Sequence, residues 1–140
     1  MASREELVDA LAGFTLFSDL SRPALTGVVH QFEEVMFAEG ERVLRQGLTG
    51  SGFFIVVDGE ASVRVDGVER AKLSRGDFFG EASILLGESP IADVVALRPL
   101  QCIVLAGPQV EEFLVAHPRV LFRMAQAQAR RLRSATRWRS

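Results

Sequence analysis

The chain has 140 residues, 48% of them hydrophobic and ten of them Phe, which suits one packed domain and argues against a disordered chain. No apolar run reaches the ~18 residues of a membrane span, the polar start MASREELVDA is unlike a secretory leader, and a single Cys with two His excludes an internal disulfide and leaves a structural zinc site short of ligands. The net charge of −2 hides an asymmetry: all eighteen acids lie at or before Glu112, whereas seven of the sixteen basic residues fall from Arg119 onward with no acid among them, so the tail is directed at something negative.

Ser3-Arg4-Glu5-Glu6 has the spacing of a capping box, in which two side chains satisfy free backbone donors, and Leu7, Val8 and Leu11 continue a helix from it. A second short helix is expected over 23–30, with Pro23 in its first turn and Leu25, Val28 and Val29 on one face. From residue 31 to 106 the texture becomes β: QFEEVMF, RVLRQ, FFIVVDGEASVRV, VERAKL, FFG, IADVVAL and QCIVLA are separated by Gly- and Asp-rich punctuation. Asp66-Gly67 marks a two-residue hairpin turn, because both central positions need positive φ. Short strands at this regular spacing, roughly eight of them, predict a mainly β fold, an antiparallel barrel or an eight-stranded jelly roll, with short helices at both ends. One interruption is expected at 81–86, where Glu81 opens a helical turn. Helices return over 109–138: one holds Val110, Phe113, Leu114 and Val115, and a longer one follows Pro118 with Leu121, Ala125, Ala129, Leu132 and Thr136 along a stripe. The whole of 1–140 is read as a single domain.

The stretch that carries chemistry is Gly76-Asp77-Phe78-Phe79-Gly80-Glu81-Ala82-Ser83. Gly80 lets a backbone approach closely, the first amides of the helical turn suit an anion, and the Glu81 carboxylate beside them can accept from a hydroxyl. An anion beside a hydroxyl outlines a ribose phosphate. No Ser/His/Asp, Cys/His or paired-carboxylate set has supporting context, so no catalytic residue and no enzyme is expected. Arg75 and Arg98 read as solvated, His30 and His117 as surface or helix-end residues, and the loop 47–52 as architectural, since it lacks a phosphate-loop Lys.

Taken in order, Phe17-Ser18-Asp19-Leu20, the glycine-rich run from Gly47 to Glu60, Phe79-Gly80-Glu81-Ala82-Ser83 and the ending from Phe113 to Leu132 resemble the cyclic-nucleotide-binding domain family of catabolite-activator-type regulators, protein kinase A regulatory subunits and cyclic-nucleotide-gated channels. The resemblance implies a β-roll whose phosphate cassette lies over 79–94. It implies ligand contacts from Phe79, Gly80, Glu81, Ala82, Ser83, Ala92 and Asp93, with Glu81 on the ribose hydroxyl and the amides of Ala82 and Ser83 on the phosphate. The implied ligand is cAMP or cGMP, with no other cofactor and no metal. This chain departs from the family at the phosphate cation. Aligning Ala92-x-Val94 puts Pro90 where an arginine belongs, and none occurs between Arg75 and Arg98. Asp93 stands where a Thr or Ser is usual, and can be read either as facing water or as a pocket residue suited to a neutral or cationic ligand. Two functions remain open: a regulatory sensor relaying ligand occupancy through the C-terminal helix, and a degenerate relative serving as an interaction or dimerisation scaffold. A homodimer through the stripe from Leu121 to Leu132 is a candidate assembly. The family's helix-turn-helix DNA reader is not expected before Ser140.

Overall fold

The structure, a computed structural model, describes residues 2–48 and 52–136. Its elements are α1 (Arg4–Ala12), a 3-10 turn (Thr15–Phe17), α2 (Arg22–Gln31), β1 (Glu33–Phe37), β2 (Arg42–Leu44), β3 (Gly52–Asp58), β4 (Ala61–Val65), β5 (Val68–Leu73), β6 (Phe78–Phe79), α3 (Glu81–Leu86), β7 (Asp93–Ala96), β8 (Leu100–Ala106), α4 (Gly107–Ala116) and α5 (Pro118–Thr136). The strands form two four-stranded antiparallel sheets, in the orders β1-β8-β3-β6 and β2-β7-β4-β5. This is the expected eight-stranded roll with helices at both ends.

Local chemistry explains most boundaries. The capping box is present: Ser3 Oγ accepts from the Glu6 amide, and the Glu6 carboxylate accepts from the Ser3 amide. The Ser21 hydroxyl accepts from the Ala24 amide, a one-way cap, so α2 begins at Arg22, one residue before Pro23. Asp66 and Gly67 both take positive φ, 53° and 80°, and join β4 to β5 across the pair Val65–Val68. The run FFIVVDGEASVRV is two strands, not one. It breaks at Gly59, where φ is 101° and a Cβ would stand 2.5 Å from the Pro99 carbonyl oxygen.

The apolar run of β3 is continuous because both of its faces are covered. Phe53, Ile55 and Val57 point into a core shared with α1, α2, α4 and α5, while Phe54 and Val56 point into the roll with Leu44, Ala61, Leu73, Phe79 and Cys102. Burial pushes the Cys102 thiol up to about 12. Phe53 and Phe54 therefore sit on opposite sides of one strand, and Phe54 stacks on Phe79 with ring centres 4.7 Å apart.

The C-terminal helices differ from expectation in which faces they bury. Val115 is exposed on α4, whose inward residues are Val110, Phe113 and Leu114. On α5 the docked face is Val120 and Met124, with Ala127 half-buried beside them, whereas Leu121, Ala125, Ala129 and Leu132 face outward. The side chain of Thr136 and all of Arg137 lie outside the described residues. The helix turns its other face inward because Val120 and Met124 fill the gap above the 3-10 turn and α4. Asp19 fixes that rotation by taking Arg123 at 2.8 and 3.0 Å and Arg119 at 3.3 Å.

Candidate functional site

The cassette is built on a reversal that only glycine tolerates. After β6, Gly80 adopts φ 89°, and a Cβ there would lie 2.2 Å from the Gly52 carbonyl oxygen on β3. This close approach aims α3 so that Glu81 enters the protein rather than solvent. The Glu81 side chain is only 5% exposed. Ser83, also buried, donates its hydroxyl to the Gly80 carbonyl at 3.2 Å and so closes the turn locally.

Beside Glu81 lies an open cavity of about 1100 Å³ between the β2-β7-β4-β5 sheet, the cassette and the last turns of α5. Phe79, Gly80, Glu81, Ala82, Ser83 and Ala92 are brought together on its wall. Asp93 is not. Its carboxylate accepts from the Gln46 amide at 2.7 Å and stands 4.0 Å from Arg42, which ties β7 to the end of β2. Gln46 in turn exchanges two hydrogen bonds with Asp66, so Asp93 belongs to a buttress at the rim of the roll. Pro90 is buried and lines the cavity, and its carbonyl accepts from the Gly47 amide at 2.8 Å. Arg75 is not on this wall: it donates to the Val57 carbonyl and lies over the Phe14 ring. Arg98 is exposed.

Among the described residues, the cavity's cations are Arg70 and Lys72 on β5, and Arg130 and Arg131 on α5. Arg131 is the residue beside Glu81 that sequence reasoning did not single out for the site. Its guanidinium donates to Glu81 Oε1 at 3.2 Å and to the Phe78 carbonyl at 2.7 Å, and lies 4.4 Å above the Phe78 ring. The signal that could have found it is the spacing Val120, Met124, Ala127, Arg131, a heptad-like stripe whose last member is charged. Glu81 Oε2 is buried without a hydrogen-bond partner among the described residues. Burial pushes the Glu81 carboxyl above its ordinary value; Arg131, the amides of Glu81 and Ala82, and the Gln128 side chain pull the other way.

A carboxylate held out of water on a cavity wall, with one buried oxygen unpartnered among the described residues, has capacity to accept a further hydrogen bond. The cyclic nucleotide-binding domain model matches residues 34–117, more than half of the chain, which includes the cassette and Glu81 and stops before α5. This chain belongs to the cyclic nucleotide-binding domain family. The cGMP-dependent protein kinase egl-4 of Caenorhabditis briggsae is 27% identical over 105 residues, covering 71% of this chain and 14% of the kinase. The chain thus spans about a seventh of the length of that curated relative. The Thermus thermophilus catabolite activator protein superposes with TM-score 0.76 at 27% identity, covering 86% of this chain and 59% of the other. The fold also matches a protein kinase A regulatory-subunit domain bound to Sp-2Cl-cAMPS, with TM-score 0.80 at 23% identity over 94% of this chain and 90% of that one. The domain is a regulatory, non-catalytic module with the architecture of cAMP and cGMP sensors. Among the described residues no helix is long and apolar enough to cross a membrane.

Proposed function

We propose that the cavity takes a ribonucleoside-based ligand of the cyclic-nucleotide class, gripped at its sugar, and that occupancy is relayed through α5. The observation that carries this reading is the buried Glu81 carboxylate on the cavity wall, with Oε2 unpartnered among the described residues. Ala82 and Ser83 contribute their amides to the phosphate, and Phe79 and Ala92 supply apolar wall. The cyclic phosphate is held weakly, because Pro90 puts an apolar ring where the family places a cation. Losing one partner of a buried charge pair costs roughly 2–5 kcal/mol, which is about 30- to 4,000-fold in affinity. Asp93 takes no part. The protein then works as a regulator, not an enzyme, in a reducing cytosol that keeps Cys102 a thiol.

Calorimetry with cAMP, cGMP and adenosine on the natural chain and on Pro90→Arg tests this. Binding of cAMP or cGMP in the high-micromolar to millimolar range is expected, tightening at least tenfold in Pro90→Arg. Tight binding by the natural chain refutes the weakened phosphate half. No binding by either chain refutes the sensor and leaves an interaction scaffold.

We also propose a second copy of the chain as partner along α5, where Leu121, Phe122 and Leu132 are 40%, 48% and 67% exposed. Light scattering is expected to give twice the chain mass, falling to the monomer in Leu132→Arg; a monomer throughout removes this partner.

A further inference from the structure

We propose that Gln46 is a strut at the end of the β2-β7-β4-β5 sheet: its amide holds the far arm of the cassette, its side chain holds the β4–β5 hairpin, and so it sets where Pro90 and Ala92 stand on the cavity wall. Its effect on a ligand rests on the ligand-binding reading of the cavity given above.

The arm, residues 87–92, joins α3 to β7 without regular structure, so its place depends on ties to other segments. Its start is tied to α3, where the Glu88 amide donates to the Ser83 carbonyl at 2.9 Å. Its far end meets the sheet where the ladders stop, at the pairs Leu44–Val94 and Arg64–Asp93. β7 lies between β2 and β4, and Gln46, two residues past β2, reaches across the start of β7 to the hairpin beyond β4. Its amide donates to the Asp93 carboxylate at 2.7 Å, and the next amide, Gly47, donates to the Pro90 carbonyl at 2.8 Å. Its side chain makes a reciprocal pair: Nε2 donates to Asp66 Oδ1 at 3.0 Å, and Oε1 accepts from the Asp66 amide at 3.0 Å. A primary amide suits this position and a carboxylate does not, since a carboxylate accepts but cannot donate and would face the Asp66 charge. Asp66 is a firm partner, because its own backbone is set by the hairpin turn, with φ 53°. The segments joined in this way both supply cavity wall, Val65 beside Asp66 and Ala92 beside Asp93. Gln46 is not on that wall, so it acts through its neighbours as a positioning residue.

Gln46→Glu keeps the size of the side chain, removes its donor and sets a carboxylate against Asp66. Adding Asp66→Asn returns a donor to the pair, and Asn tolerates the left-handed turn. Residue-resolved hydrogen exchange in the ligand-free chain is expected to quicken roughly two- to fivefold at Gly47 in Gln46→Glu, the size of one exposed hydrogen bond, with Phe53 to Val57 unchanged. Calorimetry with cAMP and adenosine is expected to show affinity falling by a similar factor. Both effects are expected to disappear in the double variant. Unchanged exchange at Gly47, or a double variant no better than Gln46→Glu, overturns the strut. Exchange that quickens equally at Phe53 to Val57 means that Gln46 acts through overall stability, and quickened exchange with unchanged affinity means that it positions nothing; either overturns the proposal. Should neither ligand bind the natural chain, the ligand-binding reading fails by itself, and the exchange of Gly47 in the single and double variants decides the strut alone.

Discussion

Gly80 and Glu81 show how one backbone angle decides what a carboxylate can do. Gly80 has a positive φ, and the Gly52 carbonyl oxygen lies 2.2 Å from where a Cβ would stand, so the turn into α3 depends on the hydrogen at that position. Gly80→Ala is expected to cost at least ~1–2 kcal/mol from the left-handed backbone alone, with the clash adding to it. Urea unfolding checks this, and an unchanged midpoint would mean that the cassette re-forms with another turn. Both residues stand out in the sequence, because Gly80 permits a close backbone approach and Glu81 opens a helical turn beside free amides. The depth of Glu81 does not show there, since burial depends on Gly52 and α5, which lie far along the chain.

At the scale of elements, α5 is the informative case, pinned by two carboxylates whose ionisation runs in opposite senses. The Arg123 hydrogen bond, with Arg119 nearby, holds Asp19 below its ordinary 3.8. That contribution to stability is complete above the ordinary value and is lost as pH falls through the lowered one. Burial raises Glu81 above its ordinary 4.5, so its contribution is complete below that value and is lost as pH rises through the raised one. Thermal unfolding across the acid range is expected to show Asp19→Asn flattening the loss on the acid side and Glu81→Gln flattening the decline above pH 4.5. Identical pH profiles for variant and natural chain would show that neither pin couples to folding. A helix after Pro118 is legible from the sequence, whereas its docked face is not. Two apolar stripes run along α5, and hydrophobicity alone does not choose between Leu121-Ala125-Leu132 and Val120-Met124-Ala127.

Across the whole molecule, one strand divides the interior in two. β3 sends Phe53 and Ile55 toward the helices and Phe54 and Val56 into the roll, so both cores melt together if that strand leaves. Cys102 reports on this: it lies inside the roll on β8, fully buried, with its thiol held at about 12. A thiol reagent at neutral pH is expected to label it only at the rate of global unfolding, with added urea speeding labelling in step with lost secondary structure. Rapid labelling of the folded chain would show that the roll opens by itself.

The sequence by itself determined the strand count, the hairpin at Asp66-Gly67, the capping box and the cassette from Phe79 to Ser83. Each is written in residues close together, where spacing and backbone preference act directly. Pro90 stands out only beside the family resemblance, which implies a cation at that offset. The tertiary structure alone decided that Asp93 braces the rim instead of lining the cavity, and that Arg131 reaches Glu81. Both depend on partners forty-seven and fifty residues away, brought within hydrogen-bond reach only when the sheets close and α5 docks.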